Sequence, residues 1–173
     1  SEPYLDFAIK EVREKTISDV NELKSQLPKV VQPVVDGKTV KSEKIFKRVN
    51  PSETSVVVTE VQMANNEMAE QAIQSAHKAY HSWKKTTATE RAQILNKTAD
   101  LMSQNKFKLM ATQVLEVGKP WAEADADVAE AIDFLRYYAR HMLELQKPLR
   151  VGHAPGEISQ YIYKPRGVVT VIA

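Results

Sequence analysis

Apolar residues recur every three or four positions at Leu5, Ile9, Val12, Ile17, Val20, Leu23 and Leu27, with charged residues between them. That spacing predicts an amphipathic helix over residues 4–27, stopped by Pro28. From residue 30 the pattern changes to short β-branched runs. Residues 30–35, 38–40, 45–49 and 55–61 read as four short antiparallel strands, with Asp36-Gly37 as a hairpin turn and residues 50–54 as a turn cluster. Helical spacing then returns. Asn65 or Asn66 can cap a helix whose apolar face carries Met68, Ala72, Ile73, Ala76, Ala79, Tyr80 and Trp83. Thr87-Ala88-Thr89-Glu90 is a capping-box pattern that opens the next helix, with Ile94, Leu95, Thr98, Leu101 and Met102 predicted as its buried stripe. A third helix carries Phe107, Met110, Val114 and Val117 and stops at Gly118. A fourth runs from Trp121 to about Leu145, with Val128, Ala131, Ile132, Leu135, Tyr138, Met142 and Leu145 predicted to face inward.

The end of the chain differs again. Residues 148–156 read as a loop, 158–163 alternate like a strand, and 164–167 form a turn. Residues 168–173 are nearly all apolar and β-branched, as in a strand buried on both faces of a parallel sheet.

Composition narrows the chemistry. The 173 residues include no cysteine, which excludes disulfides, thiolate metal sites and a cysteine nucleophile within them. The five glycines, Gly37, Gly118, Gly152, Gly156 and Gly167, form neither a G-x-G-x-x-G turn nor a P-loop. A net charge of +2 gives no basic field for nucleic acid. No apolar run approaches the roughly 20 residues of a membrane span, and residues 1–9 lack the order of a signal peptide. The expectation is a soluble, cytoplasmic chain without a nucleic-acid partner.

Three constellations invite a functional reading. His77 and His81 share a helical face but have no third ligand near them in sequence, so no metal site is expected there. Glu123, Asp127, Glu130 and Asp133 stack along one helix, and partners such as Arg136 and Arg140 or plain solvation account for them without a metal. Phe134, Tyr137 and Tyr138 are expected in core packing rather than as a cofactor platform. Residue by residue, the chain reads as α/β with no catalytic signature of its own.

Three segments, in order, resemble the N-terminal third of the aldehyde dehydrogenase superfamily. They are Val49-Asn50-Pro51-Ser52-Glu53-Thr54 with the alanine-rich helix ending in Trp83; Glu116-Val117-Gly118-Lys119-Pro120-Trp121 with the residues up to Ala139; and Tyr163-Lys164-Pro165-Arg166-Gly167 running into Val171-Ile172-Ala173. The residues from Asp127 to Ala139, with the long N-terminal extension, are most similar to the 1-pyrroline-5-carboxylate dehydrogenase branch, found alone or within bifunctional proline-utilisation proteins. That branch oxidises L-glutamate γ-semialdehyde to glutamate with NAD.

The resemblance implies a fold of four parts: a helical extension at 1–29; the N-terminal part of the NAD-binding domain at 30–147, with hairpins over 30–63 and helices over 65–147; an oligomerisation-type hairpin arm at 148–167; and the first strand of a truncated Rossmann-like sheet at 168–173. It also implies that the oxyanion asparagine, the catalytic cysteine and the general-base glutamate lie downstream, so no catalytic residue is expected in this chain and the chain alone should be inactive. Ile172 and Ala173 carry over as cofactor contacts, although no NAD is expected to bind this chain by itself. Glu130 carries over as a carboxylate near the substrate ammonium, against the alternative of a plain surface glutamate. Homo-oligomerisation is implied as well. Two other readings stay open: a non-catalytic binding or regulatory module, and a dehydrogenase of another aldehyde.

Overall fold

Residues 1–8 do not continue the first helix. In the computed structural model, which describes residues 1–172, they form a strap without regular structure that ends in a turn closed by the Ile9 N–H on the Asp6 carbonyl at 3.1 Å, and α1 spans Lys10–Ser25. Buried polar groups hold the strap. The Glu2 N–H donates to Asp133 Oδ1 at 2.7 Å, the Leu5 N–H donates to Asp125 Oδ2 at 2.8 Å, and Lys106 Nζ donates to the Pro3 carbonyl at 2.7 Å. Leu5 and Phe7 pack on the core. The predicted helix start at residue 4 is therefore corrected: Leu5 and Ile9 have helical spacing, but Leu5 packs half-buried on the core from the strap and Ile9 is exposed. Helix α1 turns Val12, Thr16, Asp19, Val20 and Leu23 inward and leaves Ile17 exposed. It packs on α4 (Lys106–Val117).

The strands are β1 (Lys29–Val31), β2 (Val34–Val35), β3 (Lys38–Thr39), β4 (Ile45–Asn50) and β5 (Glu53–Gln62). Asp36 and Gly37 both have positive φ, at 53° and 72°, as a type I′ hairpin needs, and β2 pairs antiparallel with β3 around them. Strands β4 and β5 are also antiparallel, joined by a turn in which Asn50 Oδ1 accepts the Ser52 N–H at 2.9 Å. The expectation of uniformly antiparallel strands fails at β1. It joins the far edge of β5 in parallel, giving the order β1-β5-β4, because the β2-β3 hairpin and β4 intervene and return the chain in the same direction.

Helix α2 spans Asn66–Trp83, and of the two candidate caps Asn65 takes the role: its Oδ1 accepts the Met68 N–H at 2.8 Å. It buries no residue fully: Met68, Ala72 and Tyr80 of the predicted apolar face are half-buried where the helix packs on β2, while Ile73 and Trp83 stay about half exposed. Helix α3 (Ala88–Gln104) opens with the full Thr87–Glu90 capping box, but its predicted buried stripe is corrected: Ala88, Ala92 and Ala99 are buried, Leu95 and Met102 half-buried, and Ile94, Thr98 and Leu101 exposed, because the small alanines face α5. Helix α4 ends at Gly118, with φ at 74°. Helix α5 (Trp121–Leu145) lies against α3 and α4. Ala99, Met110, Ala124, Val128 and Ile132 form the core where these three helices meet.

Two of the quoted motifs touch each other. Arg48 Nε donates to the Glu116 carbonyl at 3.3 Å, and a Cβ on Gly118 would lie 2.8 Å from Pro51 Cγ. Beyond α5, β6 (Leu149–Arg150) pairs antiparallel with β7 (Gln160–Tyr161), a shorter ladder than the predicted strand over 158–163. Residues 168–172 join no ladder, and Val169, Val171 and Ile172 are largely exposed. A strand meant for burial on both faces needs a neighbour on each edge, and the described residues offer none.

Candidate functional site

Helix α5 carries the carboxylates that the sequence singles out. Its inward register is Ala124, Asp125, Val128, Ala129 and Ile132, a spacing of three and four residues. The same rotation carries Asp127, Glu130, Phe134 and Tyr137 to the wall of a cleft of about 660 Å³, which Tyr4 of the strap and Asp133, Arg136 and Arg140 of α5 also line.

The cleft charges have different partners. Asp127 pairs with Lys119. Asp133 accepts the Glu2 N–H. Arg136 reaches Glu2 Oε2 at 3.1 Å and Asp100 Oδ1 at 3.4 Å. The Arg140 guanidinium lies over the Tyr137 ring, 5.7 Å from its centroid. Glu130 is exposed and makes no hydrogen bond or ion pair with the described residues. A carboxylate without a partner at the mouth of a cleft can accept a cation, and a primary ammonium suits it in charge and donors.

Phe134, Tyr137 and Tyr138 were expected in the core, and they are not there. Phe134 and Tyr138 stack with centroids 5.8 Å apart and an interplanar angle of 11°, and all three rings are about half exposed. The core face of α5 instead uses alanines, which let α3 and α4 approach closely. The inward placement expected of Tyr138 and Leu145 is corrected in the same way, for both are exposed.

His77 and His81 lie edge to face, 5.7 Å between centroids, in a second cavity of about 650 Å³ with Tyr80 and Arg166. No group of three metal-ligating side chains occurs among the described residues. Ile172 stands at the exposed end of the chain, and Ala173 lies outside the described residues. Ile172 is not brought near Glu130: the cleft lining does not include it.

The sequence reading missed a buried ion pair. Lys106 Nζ and Asp125 Oδ1 are 2.7 Å apart, with both side chains almost wholly buried. A signal was available. Asp125 holds an apolar register position with Val128, Ala129 and Ile132, and Lys106 does the same with Leu109 and Met110. A charge in such a position is buried with a partner.

The fold and these motifs define a member of a known class. Residues 38–173 match the model of the aldehyde dehydrogenase family, and the chain belongs to that family. Among its curated relatives, 1-pyrroline-5-carboxylate dehydrogenase 1 of Halalkalibacterium halodurans is 40% identical over 172 residues, covering 99% of this chain and 33% of the relative. Among solved structures, proline utilization A (PutA) from Bdellovibrio bacteriovorus is 58% identical, with a TM-score of 0.91 over 95% of this chain and 17% of that one. The Thermus 1-pyrroline-5-carboxylate dehydrogenase with bound NAD is 37% identical, with a TM-score of 0.89 over 95% of this chain and 32% of that one. The chain thus spans about a third of the length of the curated relatives it matches. No helix among the described residues is long and apolar enough to cross a membrane.

Proposed function

We propose that this chain forms the first third of an NAD-dependent dehydrogenase that oxidises L-glutamate γ-semialdehyde to glutamate in proline catabolism, and that Glu130 receives the substrate ammonium. The observation that carries the reading is Glu130 itself, the unpaired carboxylate in the α5 cleft. The relatives named above supply the reaction class.

The division of labour follows from what the chain contains. It has no cysteine to attack an aldehyde, so the chain alone is expected to bind and orient rather than to react. A dinucleotide pyrophosphate calls for clustered N–H donors or cationic side chains, and Ile172, apolar and 92% exposed, offers neither side-chain group. These residues do not fit NAD by themselves. NAD, the homo-oligomeric state and a cytoplasmic location are assigned to the whole enzyme.

Replacing Glu130 tests the reading. In the enzyme that carries this chain, Glu130→Gln should raise KM for glutamate semialdehyde roughly five-fold, the value of about 1 kcal/mol. KM for an uncharged aldehyde of similar length should stay where it is. Equal effects on both substrates would return Glu130 to the surface.

A further inference from the structure

The Glu130 cleft is bounded by an acid and a base that do not pair with each other. Asp133 and Arg136 sit at i and i+3 on α5, where opposite charges are ordinary neighbours. Glu2 separates them. Its N–H donates to Asp133 Oδ1 at 2.7 Å, while its carboxylate takes Arg136 Nη1 at 3.1 Å and the Ser103 hydroxyl at 2.9 Å. The Glu2 side chain is only 7% exposed, so these contacts are built into the strap rather than gathered from solvent. Asp100 Oδ1, 3.4 Å from Arg136 Nη2, pulls the guanidinium the same way.

We propose that Glu2 is a positioning residue for substrate selection: by holding Arg136 through its carboxylate and Asp133 through its N–H, it keeps the guanidinium off the cleft carboxylates and leaves Glu130 free for an ammonium. The inference rests on the reading of Glu130 given above. Without the Glu2 carboxylate the Arg136 side chain, already on the cleft wall, keeps only the exposed Asp100 at 3.4 Å, and the cleft acids about one and two turns back on α5, Asp133 and Glu130, become alternatives to it. A guanidinium there would compete with the substrate ammonium for the same oxygens. An aldehyde without an ammonium would not register the competition.

The test is steady-state kinetics on the enzyme that carries this chain, with glutamate semialdehyde and an uncharged aldehyde of similar length. Glu2→Gln should raise KM for the semialdehyde roughly three- to five-fold, the range of a partly exposed charge pair. Its kcat, and both constants for the uncharged aldehyde, should not move. Adding Arg136→Gln should bring KM back to within about two-fold of the parent, because the competing charge is gone. A purely structural role for Glu2 predicts the opposite, since the double variant would be no better than the single one, and that result would overturn the proposal.

If Glu2→Gln does not fold, Asp100→Asn decides. Asp100 is exposed, and its loss should raise KM for the semialdehyde alone by about two-fold; no change would overturn the proposal. Glu130→Gln is run beside them. A selective effect there with a silent Glu2→Gln would refute the role of Glu2 and leave Glu130 standing. A silent Glu130→Gln would refute both.

Discussion

Lys106 Nζ lies 2.7 Å from Asp125 Oδ1, and the same ammonium donates to the Pro3 carbonyl at 2.7 Å. One buried cation thus joins α4, α5 and the N-terminal strap. Asp125 completes the junction by accepting the Leu5 N–H on its other oxygen. The strap forms part of the cleft wall, so the pair also fixes the shape of the site.

Breaking this pair on one side should be costly. Lys106→Met or Asp125→Leu leaves a buried charge uncompensated, and each should lower the stability of the chain by about 3–5 kcal/mol in urea unfolding. The double variant should recover only part of that. Its Leu5 N–H and Pro3 carbonyl would still lack partners, at about 1–3 kcal/mol for each group left unsatisfied. Full recovery in the double variant would mean that the strap does not depend on these contacts.

Gly118 has a narrower tolerance. Its φ of 74° is left-handed, and an added Cβ would meet Pro51 Cγ at 2.8 Å. Gly118→Ala should therefore cost about 1–3 kcal/mol. Gly37 has a similar φ but nothing within 4 Å of an added Cβ, so Gly37→Ala should cost less. Thermal unfolding of the two variants should rank them in that order.

The start of α3 should respond to acid. The Thr87 N–H, and then its hydroxyl, hold the Glu90 carboxyl below the usual glutamate range. A carboxyl with a depressed folded pKa stabilises above its unfolded value, and the contribution is lost as pH falls through the folded value. Thermal melts of the chain should show a loss from this site that begins as pH drops below the ordinary glutamate range. Glu90→Gln should remove that part of the pH dependence, and Thr87→Ala should cost about 0.5–2 kcal/mol at neutral pH. Identical acid profiles for the parent chain and Glu90→Gln would exclude the effect.

Signals that act over three or four residues were legible in the sequence. The Thr87–Glu90 box, the Asn65 cap, the Asp36-Gly37 hairpin and the Gly118 stop all form where the residues place them. The quoted motifs identified the family for the same reason: each is a short run fixed by a turn or a helix end. Long-range partners were not legible. Leu5 and Ile9 have helical spacing, yet residues 1–8 form a strap and a turn rather than a helix, because the partners that hold them, Asp125, Lys106 and Asp133, lie more than a hundred positions away. The parallel pairing of β1 has a similar origin, for it depends on which edge of β5 the chain reaches. Glu130 could be picked out as a carboxylate on a helix, but its lack of a partner emerges only once Lys119 and Glu2 occupy Asp127 and Asp133.

The proposed function has this chain select an ammonium-bearing aldehyde for a reaction completed by residues outside it. Formation of NADH tests it most directly, followed with glutamate semialdehyde for the 173-residue chain alone and for the whole enzyme proposed to carry it. The account predicts turnover by the whole enzyme, with a higher kcat/KM for the semialdehyde than for an uncharged aldehyde of similar length, and none by the chain alone. Turnover by the chain alone, or a whole enzyme indifferent to the ammonium, would contradict it.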